Sequence, residues 1–136
     1  MLEEKEFRKV CYEAARRTRG QVARFVPCEA GRNFDTGEIA YDHRTVAVVW
    51  TQEWDEDGRW EIFGIADAAI GFGTITFVDE PGLLAVLREL LPGHRLYSRA
   101  ELEAPIDVTA PRWKNHYAAQ RWRPHCIGHA LFSCWD

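Results

Sequence analysis

The amino-acid sequence predicts an α+β fold: an antiparallel sheet of three to five strands with an N-terminal helix and several C-terminal helices packed on it. The chain opens with one amphipathic helix pattern, continues with consecutive β-prone runs, and ends with several helix patterns. Elements segregated in this way are typical of α+β proteins, whereas a doubly wound parallel sheet needs regular βαβ alternation. We expect a single globular domain over residues 1–136, since chains of this length usually form one core.

The first helix is predicted over residues 2–19. Apolar residues recur there with the i, i+3, i+4, i+7 spacing of an amphipathic helix, at Phe7, Val10, Cys11 and Ala14. Gly20 follows, and glycine is a common C-cap residue at the end of a helix. A β-prone run occupies residues 21–26. The composition of residues 28–38, which is rich in Gly, Asn and Asp, then predicts a loop.

Two strands are predicted at residues 45–51 and 59–66. The first is β-branched and apolar on both faces, as in a strand that is covered on both sides. Between the two strands, Asp57-Gly58 predicts a tight hairpin turn, because such turns need residues that tolerate positive φ. Trp54 and Trp60 flank this turn and are predicted to face each other across the strands.

The remaining elements are signalled by turn and cap residues. Gly71 and Gly73 predict a bend before a third strand at residues 74–78. Helices are predicted to begin at Pro81, at the capping-box residue Ser98, near Pro111 with Thr109 as its cap, and after Pro124. In the last helix, the predicted apolar face consists of Ile127, Ala130, Leu131 and Cys134.

Charge and composition exclude several classes of protein. The net charge of -4 argues against a nucleic-acid-binding protein and is compatible with a basic protein partner. No apolar run approaches the roughly 18 residues of a membrane span, and the polar N-terminus has no signal-peptide pattern. We therefore expect a cytoplasmic protein with reduced thiols at its four cysteines, Cys11, Cys28, Cys126 and Cys134. No phosphate-binding motif occurs, and no cofactor is expected.

The predicted hairpin is the main candidate for a binding site. Four acidic residues within five positions stand beside two tryptophans, so the candidate partner-binding residues are Glu53, Trp54, Asp55, Glu56, Asp57 and Trp60. Tryptophan is enriched at binding hot spots, and acidic residues speed the encounter with a basic partner. The alternative interpretation is an ordinary solvated turn.

A second candidate site lies near the C-terminus. A ligand pocket between the sheet and the C-terminal helices would use some of His116, His125, Cys126 and His129. His125 and His129 are four residues apart and are predicted to share a helix face turned away from the core. A structural zinc site needs four protein ligands and no CxxC pair is present, so no metal ligands and no catalytic residues are assigned.

These observations leave three functional hypotheses. The first is a non-enzymatic protein-binding module, because the profile of a small, acidic, motif-poor protein is similar to that of bacterial immunity proteins, antitoxin-like proteins and other inhibitors that mask a partner. The second is a small enzyme or ligand-binding domain that uses the C-terminal pocket. The third is a metal-binding accessory protein that uses the C-terminal His and Cys residues.

Overall fold

The computed structural model describes residues 2–29, 32–55, 57–70 and 75–133. The α-helices in these residues are α1 (Glu4–Arg17), α2 (Pro81–Leu90), α3 (Arg99–Glu103), α4 (Tyr117–Trp122) and α5 (Ile127–Leu131). The strands are β1 (Gln21–Val26), β2 (Asp35–Ala40), β3 (Thr45–Asp55), β4 (Gly58–Asp67) and β5 (Arg95–Leu96). The predicted α+β class is confirmed, with a sheet of five strands. Within the described ranges, no helix combines the length and the apolar character that crossing a membrane requires.

The sheet has the order β1-β2-β3-β4-β5. Neighbours from β1 to β4 are antiparallel, as the sequence predicts, and they follow one another directly along the chain. The short β5 pairs with β4 in parallel, which the sequence analysis did not predict. This parallel pairing is possible because α2 lies between β4 and β5, and a parallel neighbour needs such a long crossover connection.

Both faces of the sheet are covered. We call the side of α1 and α2 the first face, where Phe7 and Leu87 pack on strand residues such as Val48. On the opposite, second face, Val49 contributes to a cluster that contains Phe132 of the C-terminal segment. Successive residues of a strand point to opposite faces, so the apolar run in β3 supplies both layers. The predicted coverage of this strand on both sides is confirmed.

The predicted loop over residues 28–38 is wrong from Asp35 onward, because Asp35–Ala40 forms β2 between β1 and β3. Gly37, one of the glycines on which the loop prediction rests, permits close packing instead. A Cβ atom at this position would lie 2.7 Å from the Sγ atom of Cys11 in α1. Pairing with two neighbouring strands thus outweighs the local preference for a turn.

Two further predictions need correction. Residues 75–78, the described part of the predicted third strand, form only an isolated bridge between Phe77 and Ala66. Residues 71–74, with the predicted bend, lie outside the described residues. The helix predicted to start near Pro111 starts instead at Tyr117, because His116 rather than Thr109 provides the N-terminal cap.

Candidate functional site

The tip of the β3–β4 hairpin extends beyond β2. The first residue of β2, Asp35, lies opposite Trp50, so residues 51–55 of β3 continue past the end of their neighbour. On the other side, β3 pairs with β4 up to Asp55 and Gly58. Gly58 has a φ of +117°, which agrees with the predicted need for a residue that tolerates positive φ.

The prediction that Trp54 and Trp60 face each other is wrong. The strand register pairs Trp54 with Arg59 and Trp60 with Glu53, which places the two indoles on opposite faces of the hairpin. Trp54 is 72% exposed. Trp60 is half-buried, and the centroid of its ring lies 4.0 Å from the guanidinium carbon of Arg95. The two tryptophans therefore do not form one aromatic patch.

Glu53 is a buried acidic residue near the tip of the hairpin. Its side chain is 5% exposed and accepts hydrogen bonds from Arg112 at 3.0 Å and from Arg95 at 3.3 Å. The carboxylate thus joins the hairpin to two segments that lie far along the chain. Asp57 is exposed, whereas Glu56 and the side chain of Asp55 lie outside the described residues.

Two cavities adjoin the part of β3 that extends past β2. The first has a volume of about 330 Å³, and its lining includes Cys28, Asn33, Asp35, Trp50, Gln52 and Trp54. The second has a volume of about 320 Å³, and its lining includes Asn33, Gln52, Glu53, Trp54, His116 and Tyr117. Asn33, Gln52 and Trp54 line both cavities, and we call the two cavities together the edge groove.

Asn33 holds the edge groove in place by hydrogen bonds to separate segments. Its side-chain amide donates to the carbonyl oxygen of Leu131 at 2.9 Å and accepts from the backbone amide of Ser133 at 2.8 Å. Its backbone carbonyl accepts from the Thr51 hydroxyl at 2.6 Å. The segment before β2, strand β3 and the end of α5 are therefore fixed relative to one another around the groove.

Two exposed aromatic side chains stand at the second cavity. Trp54 and Tyr117 both line it, and they are 72% and 69% exposed. Exposed large aromatic side chains near a concavity are typical of binding surfaces. The sequence contains no signal for Tyr117 at this site, because Tyr117 lies 63 positions after Trp54 and only the fold brings the two side chains to one cavity.

The charged side chains of the edge groove are acidic. Asp35 lines the first cavity and accepts a hydrogen bond from the Cys28 amide at 3.0 Å, and burial raises the pKa of this carboxyl. Glu53 lines the second cavity. No Lys or Arg belongs to the described lining of either cavity. Burial, followed by the charge of Asp35, raises the pKa of the Cys28 thiol, which makes it a poor nucleophile.

His116 has a structural task within the second cavity. Its Nδ1 atom accepts a hydrogen bond from the Ala119 amide at 3.2 Å and so caps α4. The imidazole also packs edge-on against Trp113, with 4.9 Å between the ring centroids. Burial is the largest cause of a lowered pKa for His116, which favours the neutral ring that can accept this bond.

We expect this capping bond to make stability depend on pH. Since the pKa of His116 is lower in the folded chain than its ordinary 6.5, the unfolded chain binds more protons between the two values, and stability falls as the pH drops through that window. Urea unfolding of the wild type and of His116→Asn at about pH 7.5 and about pH 5.5 checks this. The variant should lose less stability on acidification, and an equal loss in both proteins would show that His116 does not contribute.

The other C-terminal candidates do not join His116. His125 precedes α5 and is exposed, and Cys126 is a buried N-cap residue. His129 lies 3.1 Å from the Ile75 carbonyl oxygen and stacks on Phe77. The predicted shared face of the two histidines is therefore wrong, since α5 begins only at Ile127.

The described parts of the chain contain no set of ligands for a metal ion. No group of three or more His, Cys, Asp or Glu side chains there is placed to hold an ion. Cys134, which was predicted to lie on the apolar face of the last helix, is outside those parts.

The edge groove therefore combines a projecting strand, two exposed aromatic side chains and two carboxylates. Its walls come from the segment before β2, from β3 and from the region of α4 and α5. Comparisons of the chain with protein-family models, with curated proteins and with solved structures found no match.

Proposed function

We propose that the protein is a non-enzymatic protein-binding module, of the immunity or antitoxin-like kind, that masks a partner protein. The observation that carries this proposal is the exposure of Trp54 and Tyr117 at the same cavity, 72% and 69% respectively. A Trp and a Tyr side chain bury a large apolar area when a partner covers them, and both types are enriched among binding hot spots. The contact surface is the hairpin tip together with the edge groove.

The charge of this surface supports a basic protein as the partner. Asp35 lines the edge groove, and the hairpin adds Asp55, Glu56 and Asp57 in the sequence. Glu53 also lines the groove, but Arg95 and Arg112 already offset its charge. The chain as a whole carries a net charge of -4. Opposite charges raise the rate of encounter between two proteins and discourage acidic partners such as nucleic acids.

A small enzyme or ligand-binding domain is the alternative. It is favoured by the volume of the second cavity, about 320 Å³, which is near the lower limit of small-molecule pockets. The polar groups in this cavity are engaged within the fold, however. His116 caps α4 and Glu53 is paired with two arginines, so neither is poised as a base beside a nucleophile.

We expect the partner to be met in the cytoplasm. Three cysteines, Cys11, Cys28 and Cys126, are free thiols, and Cys11 and Cys126 are buried. Burial raises the pKa of Cys11 to about 12, so this thiol behaves as an apolar core side chain. Free thiols are typical of proteins in reducing compartments.

Removing either exposed aromatic side chain should weaken partner binding without unfolding the protein. We expect Trp54→Ala and Tyr117→Ala each to cost about 2 kcal/mol of binding free energy, as hot-spot residues do. The free energy of unfolding should change by no more than about 0.5 kcal/mol, since both side chains are largely exposed. The measurement is capture of the partner from a native-host lysate, followed by calorimetric titration of the purified pair.

Tyr12→Ala is the matched control, because Tyr12 is 59% exposed but lies on α1 and does not line the edge groove. It should bind the partner as the wild type does. Undiminished binding by both groove variants would refute the proposed contact surface.

A further inference from the structure

We infer that the partner docks by strand addition: an extended segment with basic side chains pairs, through its backbone, with the edge of β3 at Gln52 and Trp54. This inference rests on the proposed protein-binding function and specifies how the partner is held. Peptide segments commonly bind in this way to an exposed sheet edge, where main-chain hydrogen bonds give affinity and flanking pockets select side chains.

The ladder between β2 and β3 shows which backbone groups are available. The Tyr41 amide donates to the Arg44 carbonyl at 2.8 Å, and the register then runs without a bulge to the pair of Asp35 and Trp50. In an antiparallel ladder every second residue bonds to the same neighbour. The even-numbered residues of β3 therefore direct their backbone groups toward β2, including Gln52 and Trp54 beyond its end.

The edge at these two residues has no ladder partner among the described residues. β2 starts opposite Trp50, and neither Gln52 nor Trp54 takes part in a backbone hydrogen bond to a described segment outside the β3–β4 pair. Unpaired edges of this kind template the addition of another strand. The outer edge of β1 differs, because β1 carries an irregularity between Val22 and Arg24, a common means of discouraging strand addition.

The two cavities lie where the side chains of an added strand would go. Successive side chains of a strand point to opposite faces of a sheet. Gln52 and Trp54 line both cavities. The first cavity extends to Trp50, which packs on the first face, and the second extends to Glu53, whose strand partner Trp60 packs on the opposite face. Their volumes of about 330 and 320 Å³ leave room for long side chains. The edge groove thus supplies both a pairing edge and alternating pockets.

The charges in these pockets select a basic segment. Asp35 lines the first cavity and makes no ion pair within the described parts of the chain. Its carboxylate is partly desolvated, which an incoming Lys or Arg would offset by pairing with it. Glu53 in the second cavity already has two arginine partners. We therefore place a cationic side chain of the segment beside Asp35.

The test uses capped heptapeptides of alternating Lys and Val as defined probes, titrated into the full, isotope-labelled chain and followed by amide NMR. We expect saturable shifts of the Gln52 and Trp54 amides. N-methylation along one edge of an extended peptide removes the donors that would meet β3, while methylation along the other edge spares them. One of the two methylated isomers should therefore bind about tenfold more weakly than the other.

A matched pair of protein variants tests the choice of a basic segment. Asp35→Asn keeps an oxygen acceptor for the Cys28 amide but removes the charge, so it should weaken the Lys-containing probe about threefold or more. Asp42→Asn, at an exposed position that lines neither cavity, should leave the affinity unchanged.

Equal binding of the two methylated isomers would overturn strand addition, as would a lack of saturable shifts at Gln52 and Trp54. If Trp54→Ala still weakened binding of the captured partner in that case, the contact surface would stand and only the docking mode would fall. If the partner were instead indifferent to Trp54→Ala and Tyr117→Ala, the proposed function itself would fail, whatever the peptides did.

Discussion

Substituting Met for both Arg95 and Arg112 is expected to lower the free energy of unfolding by about 3–5 kcal/mol, which is the cost of leaving a buried charge uncompensated. Both guanidinium groups bond to the Glu53 carboxylate, whose side chain is only 5% exposed. The methionines retain packing volume but leave this charge away from water. Chemical denaturation at neutral pH measures the change.

Removing the acid instead should cost less. Glu53→Gln is expected to lower the free energy of unfolding by about 1–3 kcal/mol, because water can still reach Arg95 and Arg112, which are 29% and 42% exposed. Combining all three substitutions should recover part of the loss in the double variant. A double variant no less stable than Glu53→Gln would contradict the view that the buried carboxylate dominates this cluster.

Phe7→Ala is expected to lower the free energy of unfolding by about 3–5 kcal/mol through loss of buried area and creation of a cavity. Phe7 is 1% exposed and joins α1 to the first face of the sheet. Its ring centroid lies 5.0 Å from that of Trp50 and 6.3 Å from that of Phe63. The change is measured by chemical denaturation and by the loss of near-ultraviolet circular dichroism.

The control on the same helix is Tyr12→Ala. Since Tyr12 is 59% exposed, its replacement should cost no more than about 1 kcal/mol. A similar loss for both variants would mean that α1 does not present the Phe7 face to the core.

Elements that depend on neighbouring residues could be predicted from the sequence. Ser98 and Glu101 form the expected capping box: the Glu101 amide donates to the Ser98 hydroxyl, and the Ser98 amide donates to the Glu101 carboxylate. Pro81 opens α2 as predicted. The hairpin of β3 and β4 was also located, although β3 runs to Asp55 rather than to residue 51. In each case the signal lies within one turn of helix or one hairpin.

Features that depend on distant residues could not be predicted. β2 reads as a loop by composition and becomes a strand because β1 and β3 pair with it on both sides. The sequence predicts that Glu53 is a solvent-exposed acidic residue of a turn. Its burial depends on its partners Arg95 and Arg112, which lie 42 and 59 residues further along the chain.

The edge groove itself was not foreseen. Trp54 and His116 are predicted from the sequence to belong to two separate candidate sites, whereas the structure places both in the lining of one cavity. Asn33, which bonds to Leu131 and Ser133, had no functional signal in the sequence, because its role depends on contacts 98 and 100 residues apart.

Amide hydrogen exchange of the full chain, free and saturated with its captured partner, tests the proposed contact surface most directly. We expect slower exchange in the bound state at residues 51–55 of β3 and around Tyr117, with α1 around Tyr12 unchanged. Protection confined to α1 or β1, with residues 51–55 exchanging as in the free chain, would contradict the proposal that the edge groove receives the partner.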